Sequence, residues 1–185
     1  MLTLASCMIA IFNGNASHIY DFDVPSENLN LQVYYDEEMN ACDDDFAINH
    51  KHIQPRKHVD VRNYKIKDCL KKVGDTITFV YDFGDDWTFP IRLGEIIDDK
   101  VYEEASTLVL DGEGNGIIED VGGVGAMSDC VKAFEKKSGD DYESYSEWLG
   151  LKDFDITFFN KNAVNNFLKK DIKEIDKAYK NMEND

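Results

Sequence analysis

The stretch YDFGDDW, residues 81–87, sets three acids and three aromatic rings around a single glycine. Carboxylates spaced as Asp82, Asp85 and Asp86 can gather round a divalent cation, or supply a general acid and a general base. The competing reading is a turn. Aspartates favour turns because their side chains accept backbone hydrogen bonds there, and Gly84 is expected to take a φ that other residues resist. A catalytic pair also needs one carboxylate in an apolar pocket to raise its pKa, which a loop tip seldom offers. The residues therefore favour the turn.

Other chemistry-bearing patterns are weaker. His50 and His52, two apart, share one face of a strand and with Asp43 or Asp45 resemble a metal-ligand set, but surface histidines take that spacing as readily. The segment DGEGNG, residues 111–116, lacks both the Lys-Ser/Thr of a phosphate loop and the ligand ladder of a calcium loop, so it reads as a plain loop. The chain contains no G-x-S-x-G, no H-E-x-x-H and no C-x-x-C. The expectation is no catalytic constellation, no metal and no cofactor.

The elements that must position YDFGDDW are legible on either side of it. In TITFVYDF, Ile77, Phe79, Tyr81 and Phe83 share a face, as do Trp87, Phe89, Ile91 and Leu93 in WTFPIRL. This predicts a β-hairpin closed by Gly84-Asp85-Asp86, with Pro90 on a sheet edge or a bulge. Residues 18–24 and 29–35 predict two further strands. Residues 66–72 predict a short helix, and LTLASCMIAIF predicts a first helix capped by Gly14, with Leu4, Met8 and Ile11 on one face. Residues 101–125 read as a glycine-rich loop, followed by helices at about 126–138, 142–149 and 161–182.

Composition bounds the partners. The chain of 185 residues carries 20 basic and 37 acidic groups, a formal net charge of −17, which repels nucleic acid and anionic membrane at long range. Against that background residues 51–72 hold eight Lys or Arg and two Asp, while residues 36–45 hold six carboxylates. Lys51, Arg56, Lys57 and Arg62 make a candidate phosphate-binding strip. The blander expectation is that this strip neutralises acids of the same molecule. The four cysteines form no metal or disulfide framework, and no apolar run is long enough to cross a membrane, which points to a reduced, cytoplasmic protein.

Taken together these residues resemble the plasmid pRiA4b ORF-3-like family. YDFGDDWTFPIRL is similar to the family's Tyr-Asp-Phe-Gly-Asp-x-Trp-x-His-x-Ile-x-Leu hairpin, SHIYDF to its Ser-His-x-His-x-Phe strand, and KDCLKKVGD to the short helix before the hairpin. EDVGGVGAMSDCVKAF is similar to its Glu-Asp-Cys-Gly-Gly lead into a helix, and WLGLKDFD with AVNNFL to its ending. The resemblance runs from about residue 2 to about residue 168. It implies an α+β domain with a curved, mainly antiparallel sheet, packed helices and a helical C-terminal third. It also implies that the family's first strand is absent here, leaving an edge that points to a homodimer. Of the family's histidine and cysteine positions this chain keeps only His18, since the others fall on Tyr20, Phe89, Gly116 and Val121.

The expectation is a single domain over residues 1–185, with 169–185 a helical extension, acting as a non-catalytic module for a protein partner. His18, Asp82, Asp85, Asp86 and Trp87 are the candidate binding residues, with the last four forming an exposed recognition edge. The alternatives are an accessory factor of mobile elements that touches nucleic acid through residues 51–72, and a metal-assisted enzyme built on Asp82, Asp85 and Asp86.

Overall fold

The structure is a computed structural model that describes residues 1–33, 56–97 and 107–170. His50, His52, Lys51 and the acidic loop at 36–45 lie outside these residues. The chain divides into two compact units, one of Met1–Ala5 with His18–Lys100, the other of Ser6–Ser17 with Val101–Asp185. The division falls inside helix α1 (Leu2–Ile11). The helix ends as Asn13 takes a left-handed φ of 62° and the Gly14 amide donates to the Ile9 carbonyl. The expected glycine cap is thus shared, with Asn13 supplying the left-handed turn.

The first unit is a five-stranded sheet in the order β3-β2-β1-β4-β5, formed by β1 (Tyr20–Val24), β2 (Leu29–Gln32), β3 (Lys57–Asp60), β4 (Thr76–Tyr81) and β5 (Trp87–Arg92). All neighbours are antiparallel except β2 and β3, which run parallel in the register Asn30↔His58 and Leu31↔Val59. The architecture is α+β and mainly antiparallel, as the resemblance implied. Strand β3 and its parallel pairing were not foreseen. A parallel neighbour needs a crossover of a dozen or more residues, which the stretch between β2 and β3 provides.

Alternation gives the sheet two unlike faces. Phe22 pairs with Leu31 on one side and Phe79 on the other, and Phe79 with Phe89, so apolar residues line one face across four strands. Phe22, Val24, Leu31, Ile77, Phe79 and Tyr81 are almost wholly buried there. The Phe22 and Phe79 rings lie 4.9 Å apart, and Tyr20 and Phe89 extend the stack. The opposite face carries Asp21, Asp23, Asn30, Gln32, His58, Asp60, Thr76 and Thr78. Pro90 lies on β5, a terminal strand, where its missing N–H removes no bond from a central ladder. Helix α2 (Ile66–Cys69) is shorter than expected. The Asp68 carboxylate accepts from the Lys65 amide at its start, and the Lys71 and Lys72 amides are then taken up by the Asp75 carboxylate.

The second unit is helical: α3 (Gly123–Lys136), α4 (Asp140–Leu149) and α5 over residues 161–170. Gly122 at φ 93° starts α3, and Gly150 at φ 66° closes α4. Phe134 is buried and meets the edge of Tyr142 and the ring of Phe154, while Cys7 and Leu168 form a further core with Ala10, Ile11, Val109 and Val164. Cys7, Cys69 and Cys130 are buried free thiols, and burial pushes each upward in pKa. Among the described residues no helix is long and apolar enough to cross a membrane.

Candidate functional site

The hairpin motif folds as a connection of residues 82–86, because β4 ends at Tyr81 and β5 begins at Trp87, directly opposite. The expected three-residue loop is therefore two residues longer. Phe83, expected on the core face with Tyr81, lies past the strand end and is 50% exposed. The left-handed positions are Asp82 (φ 56°) and Asp86 (φ 54°), whereas Gly84 does not take that conformation. Aspartate is among the few residues that tolerate this region, since its short side chain can bond locally.

Asp82 secures the connection. Its amide donates to the Ile19 carbonyl at 3.0 Å, and its carbonyl accepts from the Asp86 amide at 2.7 Å. Its Oδ1 accepts from the Gly84 amide at 3.0 Å and more loosely from the Asp85 amide at 3.4 Å. His18 Nδ1 stands 3.5 Å from the same oxygen, with its ring set edge-on to Tyr81. Asp82 is only 7% exposed, so the carboxylate most involved in the turn is also the least available to a partner.

These facts correct the expected recognition edge. Asp82 is buried because its side chain serves the turn's own amides, and Trp87 is buried because it lies opposite Tyr81 on the core face of the hairpin. The Trp87 indole nitrogen is also buried with no hydrogen-bond partner, an unusual cost for an N–H donor. What the tip leaves outside is Phe83, Asp86 and the half-buried Asp85. His18 is partly exposed and belongs with Asp82, so two of the five predicted binding residues form a pair beneath the tip.

Part of the basic strip is occupied among the described residues. Arg56 pairs with Asp23, Arg62 grips both oxygens of Asp60, and Lys71 meets Glu27 at 2.6 Å. The guanidinium of Arg62 holds the Asp60 carboxyl below the usual aspartate range. Lys57 is exposed on β3, and Lys51 lies outside the described residues. Internal neutralisation accounts for Arg56 and Arg62.

The DGEGNG loop also declares its use. The Gly114 amide donates to Thr157 O, Asn115 N to Ile156 O, and Ile117 N to Phe12 O. Amides that would cradle a phosphate are thus spent on the protein's own carbonyls. Gly116, at φ 83°, sits so close to Phe12 that a Cβ would fall 2.5 Å from its carbonyl oxygen.

Sequence reasoning missed the polar ladder on the second sheet face. Asn30 Nδ2 donates to Asp21 Oδ2 at 2.7 Å, and His58 Nδ1 lies 3.2 Å from Asn30 Oδ1 and 2.9 Å from Gln32 Nε2. The available signal was the alternation of His58 and Asp60 with Val59 and Val61, overshadowed by the charge of the segment.

A family model described as plasmid pRiA4b ORF-3-like protein matches residues 1–163. The chain is 23% identical over 111 residues to the uncharacterized protein y4hQ of Sinorhizobium fredii (strain NBRC 101917 / NGR234). That match covers 58% of the chain and 55% of y4hQ, so the chain spans little more than half the length of this curated relative. Among solved structures, the protein of unknown function MM3350 from Methanosarcina mazei Go1 matches with a TM-score of 0.65 at 21% identity. The match covers 88% of this chain and 81% of that one, and it shows a shared fold.

Proposed function

The chain belongs to the plasmid pRiA4b ORF-3-like family, and from that premise we propose that it is a non-catalytic interaction module whose β4–β5 hairpin tip engages a basic partner. One observation carries the reading: Phe83 stands half exposed beside Asp85 and Asp86, on a connection held in place by Asp82. A large apolar side chain fixed at a tip loses little entropy on binding and can fill a partner's pocket. Flanking carboxylates on a chain of net charge −17 select lysine or arginine around that pocket, and steer its approach.

The predicted metal-assisted enzyme gains little support from the same geometry. Asp82 Oδ1 is committed to backbone amides, and Asp86 lies exposed at the tip. The nucleic-acid reading is weakened by the pairing of Arg56 and Arg62.

A displayed peptide library panned against the purified chain tests the proposal. Enrichment of sequences with Lys or Arg beside an apolar residue is expected, with affinity lost at least tenfold in Phe83→Ser and in the Asp85→Lys/Asp86→Lys double variant. Peptides that bind both variants as well as the parent would sink the tip as the contact.

A further inference from the structure

The polar ladder on the second sheet face contains a conflict that only one proton arrangement resolves. His58 Nδ1 is within hydrogen-bond reach of an amide nitrogen, Gln32 Nε2, and of an amide oxygen, Asn30 Oδ1. A ring nitrogen carries either a hydrogen or a lone pair, so it cannot serve both.

The two amides differ in how firmly they are placed. Asn30 is 7% exposed, and its Nδ2 donates to the Asp21 carboxylate, a charge-assisted bond that fixes Oδ1 towards the ring. Turning Asn30 over would set its oxygen against Asp21 Oδ2. Among the described residues Gln32 makes no hydrogen bond besides the one to His58, so its amide turns over without losing another of these contacts. The anchored oxygen therefore selects a proton on Nδ1, and Gln32 then presents its oxygen to the ring.

We propose that Asp21, acting through Asn30, locks the proton onto His58 Nδ1, so that the neutral ring is the Nδ1–H tautomer with its lone pair on Nε2. Nε2 has no hydrogen-bond partner among the described residues. The relay ties three strands together, since Asp21 lies on β1, Asn30 on β2 and His58 on the terminal strand β3. The charged groups acting on Asp21 are Asp23, His58 and Arg56, while Asp60 lies two residues beyond His58 on β3 and pairs with Arg62 past the strand end. Asp21 acts on His58 by positioning Asn30, and neither is assigned a catalytic role.

Long-range ¹⁵N–¹H correlation spectra of the imidazole rings, recorded through a pH titration, test this directly. His58 is assigned by its absence in His58→Gln. In the parent, Nδ1 keeps the shift of a protonated nitrogen at every pH and only Nε2 moves between lone-pair and protonated values. In Asn30→Ala, and in Asp21→Ala, the neutral ring redistributes with Nε2–H as the major form. Gln32→Leu removes the competing amide and keeps the Nδ1–H form, which a merely steric role for the ladder does not require. A parent ring that is Nε2–H when neutral overturns the proposal, and so does an Nδ1–H pattern that survives both Asn30→Ala and Asp21→Ala. The parent spectrum decides the first point even if a variant fails to fold.

Discussion

The Asp82 carboxylate reaches forward to Gly84, accepting its amide at 3.0 Å while the Asp82 backbone holds a left-handed φ of 56°. One residue thus supplies both the unusual dihedral and the bond that rewards it. Asp82→Ala is expected to destabilise the chain by about 2 kcal/mol, through a lost cap and a strained φ. Asp82→Asn, which tolerates the same φ and can still accept, is expected to recover most of that loss. Urea denaturation of both variants measures the difference, and equal losses would remove the side chain's role in the turn.

Two phenylalanines four residues apart are expected to behave oppositely. Phe79 is 1% exposed among Tyr20, Phe22, Tyr81 and Phe89, so Phe79→Ala costs about 4 kcal/mol. Phe83→Ser is expected to change stability by no more than about 0.5 kcal/mol. Paired thermal melts check this. A large loss at Phe83 would mean that its ring is structural, and the proposed contact would lose its main support.

Gly116→Ala is expected to cost about 3 kcal/mol or more, because a Cβ would press on the Phe12 carbonyl at a φ that disfavours any side chain. Gly125, around which a Cβ meets nothing within 4 Å, is the control inside α3. Gly125→Ala is expected to be neutral or to add up to about 1 kcal/mol through helix propensity. Denaturation midpoints of the two variants should move in opposite directions or leave Gly125→Ala unchanged.

Two aspartates of the polar face should leave opposite marks on the pH dependence of stability. Burial raises the Asp21 carboxyl above its ordinary value, in spite of the bond from Asn30. A raised folded-state pKa means stability that is present below the unfolded value and lost as pH rises through the folded one. Asp21→Asn should therefore gain on the parent as pH rises from about 3 to about 7. Asp60, held low by Arg62, contributes above the unfolded value and loses that contribution as pH falls. Asp60→Asn should be less stable than the parent at neutral pH and approach it in acid. Unfolding free energies across that range decide both signs, and parallel curves for the two variants would contradict them.

The hairpin was legible because its periodicity is strict: Ile77, Phe79 and Tyr81 are buried at every second residue, and Trp87 faces Tyr81. The turn chemistry was legible in kind and misplaced in detail, since glycine was expected to take the left-handed φ that Asp82 and Asp86 adopt. Burial of Trp87 and Asp82 could not be read from an acid-rich motif, because composition shows what a side chain is and not which neighbours it satisfies. Strand β3 went unseen for a related reason. Its partner β2 lies on the far side of a long crossover, and non-local pairing leaves little trace in local pattern. The α3 and α4 helices were found within a few residues of their ends, where Gly122, Gly139 and Gly150 punctuate the chain.

The parallel pairing of β2 with β3 also bears on the order in which the sheet assembles. The β4–β5 and β1–β2 hairpins close over short connections, whereas β3 must return across the whole stretch from residue 33 to residue 56 before its first ladder bond can form. Non-local pairings tend to form later than local ones, so β3 is expected to join after the transition state, with the two hairpins formed within it. Substitutions at Val59 would then speed unfolding, while those at Phe79 would slow folding.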